Sequence, residues 1–315
     1  MKKFILGLFA ISFSWFVATS NAKVVQAGYI YVDGASQSTT TDGSDSNPYK
    51  DIASALSKAA ENSKSERKLY VKKGTYASGD LNLPESTEIL GEDRDATIID
   101  FSASDKSSLT MGKRSNIEKL TVKGGNYGVI VPKKSKVTIK NVKVTDSKRV
   151  GIWIKSGKNS TVYSATIKDS LIKDNDGKGI FVEQSYLYFY NNEVSNNGEE
   201  GLDLRSQVKG KIYDSTFKDN SEGGMELEIR GVKLDIRNND LKSNEASGMM
   251  LNNRTNKGGS ISLRDNEISG NNHYGIRCGG TRAWTSGLWK KTMSMKSNDL
   301  DDNDSGDIDN ACASN

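Results

Sequence analysis

Charged, aromatic and amide side chains recur at equivalent places along this sequence. Trp153, Phe181, Asp203, Glu226 and Arg277 each stand two residues after a glycine, and Arg205, Glu228 and Asn252 each stand four residues after one. Aromatic rings stack on the apolar faces of sugars, while charged groups and amides hold hydroxyl or carboxylate groups. The pattern predicts contact with a sugar polymer, and the candidate binding residues are Trp153, Phe181, Arg205, Asn252 and Arg277. A second interpretation stays open, in which these charges only cover the surface and alternate in sign to avoid repulsion.

The glycines in question belong to a repeat. Each begins a phrase of glycine, apolar, any residue, apolar, and the glycines are Gly128, Gly151, Gly179, Gly201, Gly224, Gly248 and Gly275. Their spacings are 23, 28, 22, 23, 24 and 27 residues. A period of this size indicates stacked structural repeats and not one compact core.

Other positions of the repeat align as well. Twelve residues before the glycine of six repeats stands an apolar residue: Ile139, Ile167, Phe189, Ile212, Ile236 or Leu263. Eight residues after it, five of the repeats have an asparagine: Asn175, Asn197, Asn220, Asn244 or Asn271. Alternating apolar residues predict short strands with one buried face, and Asn and Gly suit turns with left-handed backbone. Stacked asparagines can also bond to one another between coils.

These features predict an all-β fold, a right-handed parallel β-helix built as a single-stranded solenoid with three short strands per coil. The chain resembles the pectate-lyase-like right-handed β-helix superfamily over nearly all of the segment after residue 22. Residues 23–67 resemble the entry module of its secreted members and include a predicted capping helix from Tyr49 to Glu61, with Asn47 as its cap. Residues 68–315 are expected to form the coils and the C-terminal tail. The helix is expected to cover the apolar end of the first coil.

One local pattern resembles the active sites of chondroitinase B and related alginate lyases. It consists of Glu226, Glu228, Lys233 and Arg254. The resemblance implies that the glutamates hold Ca²⁺ against a uronate, that the lysine removes the C5 proton, and that the arginine assists the leaving oxygen. Asp203, stacked beside Glu226, is the expected third calcium ligand. The sequence departs from the family here, because Asp203 replaces an asparagine and Arg254 lies two residues beyond the outward position.

The composition limits the partners. The N-terminal residues 1–22, with Lys2 and Lys3 before an apolar run and small residues at the end, predict a signal peptide and a secreted protein, periplasmic or extracellular. Without those two lysines, 42 basic residues face 40 acidic ones. This near balance argues against a nucleic-acid partner. No later segment is apolar and long enough to insert into a membrane, and no apolar stripe predicts a trimer, so a monomer is expected.

The sequence therefore predicts a secreted β-helix that binds an acidic polysaccharide, with cleavage by β-elimination as an extension of that function. The alternative is a non-catalytic surface, adhesive or structural protein. Cys278 and Cys312 are expected to form a disulfide across the last coils, since both lie there and the compartment is oxidising. The loop from Gly279 to Thr292, with Trp284 and Trp289, is expected to be either a binding flap or a cap.

Overall fold

The chain winds into a parallel β-solenoid. The computed structural model describes residues 28–156 and 164–312, and the predicted signal peptide lies outside the described residues. Strands β1 to β29 are, in chain order, Ile30–Val32, Lys68–Val71, Gly74–Ala77, Leu81–Asn82, Glu88–Gly91, Thr97–Asp100, Leu109–Thr110, Asn116–Lys123, Tyr127–Val131, Lys136–Thr145, Val150–Ile154, Ser164–Lys168, Leu171–Lys173, Lys178–Glu183, Tyr186–Tyr190, Glu193–Ser195, Leu202–Arg205, Lys209–Tyr213, Thr216–Lys218, Met225–Glu228, Lys233–Arg237, Asp240–Lys242, Met249–Asn252, Ser260–Arg264, Glu267–Ser269, Tyr274–Gly279, Met293–Lys296, Asp299–Asp301 and Gly306–Ile308. The helices are α1 (Ile52–Glu61) and α2 (Ser286–Thr292), with short 3-10 turns at Lys64–Glu66 and Asn310–Cys312.

The strands form two sheets along the solenoid. The first sheet has 19 strands and the second sheet has 10, namely β4, β7, β9, β11, β14, β17, β20, β23, β26 and β29. An interior coil gives two strands to the first sheet and one to the second, as β12, β13 and β14 do. Neighbouring coils pair in parallel, for example β12 with β15 and β14 with β17. The predicted coil of three short strands is confirmed.

The interior is filled by the apolar columns of the repeat. Consecutive coils place these residues directly opposite one another in the first sheet: Ile139, Ile167, Phe189, Ile212, Ile236 and Leu263. All of them are fully buried. Side chains of different columns also pack against each other in the interior, since the rings of Phe189 and Phe217 lie 5.7 Å apart. Burial of these columns from coil to coil provides the main stabilising term of a solenoid.

A continuous ladder of asparagines joins the coils at one turn. The side-chain amide of Asn197 donates to Oδ1 of Asn220 at 2.9 Å, and Asn220 donates in the same way to Asn244 at 2.9 Å. The ladder extends from Asn175 to Asn303. The residue before each ladder asparagine, such as Asp219 with φ 54°, takes the left-handed backbone conformation. The predicted bonding between coils is confirmed, with the left-handed conformation one residue earlier.

The repeat glycines are needed for a different reason from the predicted one. Gly179 does not have the left-handed backbone of a turn. A Cβ atom there would lie 2.6 Å from the carbonyl oxygen of Gly201 and 2.8 Å from the amide nitrogen of Asn197. The absent side chain therefore lets the asparagine ladder pack against the strand of the next coil.

Helix α1 closes the N-terminal end. It buries Ile52, Ala55, Leu56 and Ala59 and begins later than predicted, because the side chain of Asp51 caps it by accepting a bond from the Ser54 amide. The expected cap Asn47 instead lies in the preceding turn, where its side chain bonds to Ser38 at 2.8 Å. In the described part of the chain, no helix combines the length and apolar character that crossing a membrane requires.

The C-terminal end is closed by a disulfide and a tryptophan. Cys278 and Cys312 are bonded to each other, as predicted. In the loop between them, Trp284 is 4% exposed and its indole nitrogen donates to the carbonyl oxygen of Gly279 at 3.0 Å. The ring of Trp289, on α2, packs against that of Trp284 at 6.2 Å. Of the two expectations for this loop, the packing favours the cap.

Replacing both Cys278 and Cys312 by Ser is expected to lower the stability of the C-terminal coils by roughly 3 kcal/mol, because the bond closes a long loop. Thermal unfolding with and without a reductant measures the effect. The reductant should lower the Tm of the unmodified protein to that of the double variant and leave the variant unchanged. Equal melting temperatures of the two oxidised proteins would contradict the expectation.

Candidate functional site

The predicted outward column lies on the exterior of the second sheet. Its members are opposite one another on successive strands: Trp153, Phe181, Asp203, Glu226, Met250 and Arg277. Neighbouring strands are about 4.8 Å apart. The aromatic and the charged members therefore form adjoining parts of one surface.

The aromatic part is a groove with three rings on consecutive strands. The ring of Tyr127 lies 4.9 Å from that of Trp153, which lies 6.4 Å from that of Phe181. The Trp153 indole nitrogen donates to the Glu183 carboxylate at 3.0 Å, and the Lys155 ammonium stands 4.3 Å from the ring centre. We call this the aromatic groove. It encloses about 480 Å³, and its further lining residues are Lys148, Arg149, Val150, Asp176, Gly177, Lys178 and Glu199.

Beside the groove, a buried carboxylate is fixed by two cations. Asp203 has no exposed side-chain surface, and burial raises its pKa. Arg205 contacts both of its oxygens at 2.7 Å, and the Lys178 ammonium lies 3.1 Å from Oδ2. Two partners on a buried carboxylate offset the desolvation that burial imposes. Arg205 is thereby held rigidly and presents its remaining nitrogen to Glu226 at 2.9 Å.

Three further carboxyl groups meet at this point and form the carboxyl cluster. Oxygens of Glu200, Glu222 and Glu226 lie within 4.8 Å of one another. Burial, together with the hydrogen bond to Glu200, raises the pKa of Glu226 to about 8. The pKa of Glu222 is raised to about 7 by burial and by the charge of Glu200. Although burial opposes ionisation of Glu200, hydrogen bonds from Glu226 and Lys178 lower its pKa to about 2.

The carboxyl cluster therefore holds a proton at neutral pH. Glu200 is ionised and ion-paired with Lys178. The raised pKa of Glu226 favours its protonated form, and its Oε1 accepts from Arg205 at 2.9 Å and from the Asn252 amide at 2.6 Å. Two neighbouring carboxyl groups with pKa values driven apart can give and take a proton at a fixed place.

The comparisons with known proteins decide the family. A family model described as the right handed beta helix region matches residues 106–257 and 162–315. The chain belongs to the right-handed β-helix family. A comparison with curated proteins finds no match.

Solved structures share this fold at low identity. The β-helix protein resembles pectate lyase Pel9A with a TM-score of 0.60 and 14% identity over 87% of this chain and 78% of that one. It resembles the A-module of mannuronan C-5 epimerase AlgE4 from Azotobacter vinelandii with a TM-score of 0.52 and 17% identity, over 82% and 92% of the two chains. Tailspike protein 2 of Escherichia coli O157:H7 bacteriophage CAB120 gives a TM-score of 0.51 and 14% identity, over 69% and 34%. These likenesses show the fold alone.

The three predicted calcium ligands of the β-helix protein, Asp203, Glu226 and Glu228, have different partners within the protein. Within the described residues, the carboxyl cluster shares only Glu226 with the predicted ligands. Asp203 has both oxygens on Arg205, and Glu228 is largely buried with the Arg230 guanidinium 3.7 Å away. A calcium ion fits the set of Asp203, Glu226 and Glu228 poorly. Lys178 and Arg205 already contact Asp203, and Arg205 also contacts Glu226, so these carboxyl groups have positively charged partners within the protein.

The predicted catalytic pair does not meet at the carboxyl cluster. Lys233 begins β21 in the first sheet, opposite Lys209 and Ser260, whereas Glu226 lies on β20 of the second sheet. Arg254 is exposed in the loop after β23. The lysine, arginine and glutamates that resemble a lyase site are thus spread over two sheets and a loop.

The remaining predicted binding residues have mixed surroundings. Trp153 and Phe181 line the aromatic groove. Arg205 and Asn252 both bond to Glu226, so their polar groups are engaged within the protein. Arg277 is half-buried on β26, two strands beyond Glu226.

Sequence reasoning missed Tyr127, Lys178, Glu200 and Glu222. The first three stand immediately before a repeat glycine, at Gly128, Gly179 and Gly201. Strand pairing places Tyr127, Val150 and Lys178 opposite one another, which defines one more outward column. The position immediately before each repeat glycine therefore forms a third outward column, beside the two columns that lie two and four residues after the glycine. Glu222 lies in the turn before β20, and the repeat pattern contains no signal for it.

Proposed function

We propose that this β-helix protein binds an acidic polysaccharide along the exterior of its second sheet. The observation that carries the proposal is the aromatic groove, in which three rings on consecutive strands stand beside Lys148, Arg149 and Lys178. Ring faces and edges offer apolar contact to sugar rings. Lys148 and Lys178 are paired with acidic groups of the protein, whereas Arg149 and Lys155 lie over the rings of Tyr127 and Trp153, make no ion pair within the described residues, and can pair with carboxylate or sulfate groups. The three rings follow one another along the strand stacking direction, which suits a linear polymer.

Two of the proteins that share the fold are named for action on uronate polymers, a pectate lyase and a mannuronan epimerase. This agrees with the proposed ligand, and the argument for this chain comes from its own groove.

We further propose that the protein is secreted, since polymers of this kind occur outside the cytoplasm and residues 1–22 have the features of a signal peptide.

Cleavage by β-elimination is the weaker extension of this function. It requires Lys233 within hydrogen-bond range of the C5 proton of a uronate bound at Glu226. Those two side chains start from different sheets. The function supported best is therefore binding, and we derive no step that involves calcium, because the cations of Lys178 and Arg205 already occupy the acidic side of the site.

Replacing Trp153 by Ala tests the proposal. We expect at least a tenfold loss of affinity, about 1.4 kcal/mol, for the polymer that the unmodified protein binds best. Polygalacturonate, alginate and chondroitin sulfate form the panel, measured by calorimetry with calcium and with a chelator. Affinity should be the same in both, and ultraviolet absorbance should not rise in the mixtures.

Tyr70→Ala is the matched control, because that ring lies on the first sheet in a pair with Tyr29 at 6.3 Å and far along the solenoid from the groove. It should leave affinity unchanged. If no polymer of the panel binds, or if Trp153→Ala binds as well as the control, the proposal is wrong and the adhesive or structural interpretation stands. A rise in absorbance that calcium stimulates would restore the lyase interpretation.

A further inference from the structure

A depression on the first sheet stands apart from the aromatic groove. It lies over β15, β18 and β21 and encloses about 310 Å³. Its lining residues are Tyr186, Tyr188, Lys209, Gly210, Lys211, Lys233, Leu234 and Asp235. We call it the basic depression. It includes Lys233, the predicted catalytic base, whose predicted partner Glu226 lies on the second sheet.

A glycine lets the strands come together here. Gly210 stands opposite Leu187 on one side and Leu234 on the other, at a position that other coils fill with an apolar residue. Its φ is +140°, and a Cβ atom would lie 1.8 Å from the carbonyl oxygen of Leu187. Any side chain at this position would push β18 away from β15 and alter the floor between the lysines.

The lysines of the basic depression have no ionic partners. Lys209 and Lys233 are directly opposite in register, and Lys211, two residues from Lys209 on the same face, is opposite Asp235. In the described ranges none of the three makes an ion pair, while the nearby Asp235 is paired with Arg264 at 2.8 Å. Like charges opposite each other on adjacent strands repel.

Elsewhere on the same sheet, a lysine opposite an acidic residue forms an ion pair. Lys140 stands opposite Glu118, with an ammonium-to-carboxylate distance of 2.9 Å. Lys209 instead lies over the ring of Tyr186, with 5.7 Å between its nitrogen and the ring centre. Three unpaired cations therefore face one concave surface, where an anionic ligand would remove their mutual repulsion.

Tyrosines supply the apolar part of this surface. Tyr188 is 38% exposed, which makes it one of the two exposed large hydrophobic residues of the described chain. Beyond it, the rings of Tyr190 and Tyr213 stack at 5.5 Å, and Arg237 covers the Tyr213 ring at 5.0 Å. Aromatic rings with interleaved cations thus continue from the basic depression along the same sheet.

We propose that the basic depression is a second polysaccharide site, which takes an anionic sugar unit, a uronate or a sulfated sugar, of a linear polymer. The lysines would pair with its acidic groups, and Tyr186 and Tyr188 would contact the sugar rings. The site lies on a different sheet from the aromatic groove, so one molecule of this protein can hold two polymer chains. The proposal does not depend on binding at Trp153.

The test replaces Lys209, Lys211 and Lys233 together by Gln. Binding of chondroitin sulfate and polygalacturonate is measured at two salt concentrations for this variant, for Trp153→Ala and for the combination. We expect two classes of site in the unmodified protein. The triple variant should lose one class, with at least a tenfold loss of affinity there and a smaller dependence on salt. Dextran, which is uncharged, should not bind this site.

A control variant with Lys106, Lys113 and Lys133 replaced by Gln removes the same charge from exposed positions elsewhere. It should bind as the unmodified protein does. An equal loss in the control would reduce the proposal to a general charge effect, and an unchanged triple variant would overturn it. If the triple variant has a lower Tm than the unmodified protein, binding is measured with the single variant Lys209→Gln as well.

Two outcomes separate this proposal from the proposed function. If the triple variant retains both classes of site and Trp153→Ala loses one, only the aromatic groove binds polymer. If the reverse holds, the basic depression binds and the groove does not. A single-stranded DNA probe that competes better than either polysaccharide would assign the basic depression to nucleic acid and overturn the proposal.

Discussion

Replacing Asn220 by Ala should lower the free energy of unfolding by about 3–5 kcal/mol, since it leaves several buried polar groups without partners. The Oδ1 atom of Asn220 accepts bonds from the side-chain amide of Asn197 at 2.9 Å and from its backbone amide at 3.2 Å. Its own amide donates to Asn244 at 2.9 Å. Asn220 has no exposed surface, so water does not replace these bonds in the folded protein.

Urea unfolding followed by circular dichroism measures this loss. Asn272→Ala is the control, because Asn272 follows ladder residue Asn271 and is exposed in the same turn. Its substitution should change stability by less than about 0.5 kcal/mol. Stability losses of similar size in the two variants would show that the ladder contributes no more than an ordinary surface turn.

The coil, the buried columns and the ladder were predictable from the sequence because each repeat is short and equivalent positions recur in the neighbouring repeats. Residues such as Ile167 and Phe189 bear the same relation to their glycines, so stacking follows from the period. The same logic located the column from Trp153 to Glu226. It also placed the cysteines in neighbouring coils, where the bond between Cys278 and Cys312 forms.

The chemistry between these columns was not predictable in the same way. Glu222 comes from a turn, and whether its oxygens and those of Glu200 reach Glu226 depends on side-chain directions that the repeat does not encode. Lys233 follows Glu228 by only five residues, yet the turn between them moves it to the other sheet. Closeness in sequence is therefore a poor guide to a shared site wherever a turn of the solenoid intervenes.

Replacing Glu226 by Gln should remove the larger of two contributions to the stability that the protein loses between about pH 5 and pH 9, the other being that of Glu222, whose pKa is raised to about 7. Burial and the bond to Glu200 raise the pKa of Glu226 from 4.5 to about 8. The folded protein therefore keeps a proton that the unfolded chain releases. This contribution is complete below pH 4.5 and is lost as the pH rises through about 8. We expect a loss of about 2–4 kcal/mol in the unmodified protein from this group.

Glutamine reproduces the protonated acid. Its carbonyl oxygen can accept from Arg205 and Asn252 in place of Oε1, and its amide can donate to Glu200 in place of the proton. Urea unfolding at intervals across this pH range should give a flatter profile, with the variant more stable than the unmodified protein at the alkaline end. Glu228→Gln, on the same strand but outside the carboxyl cluster, should keep the original profile.

The acid side provides an internal check on the same variant. Glu200 has the opposite shift, with a pKa lowered to about 2, so its contribution is present above pH 4.5 and is lost as the pH falls toward 2. Because Lys178 remains bonded to Glu200, Glu226→Gln should leave that acid loss in place while flattening the alkaline one. A variant profile parallel to the original at high pH would mean that Glu226 is ionised beside Arg205 and that the shared proton does not exist.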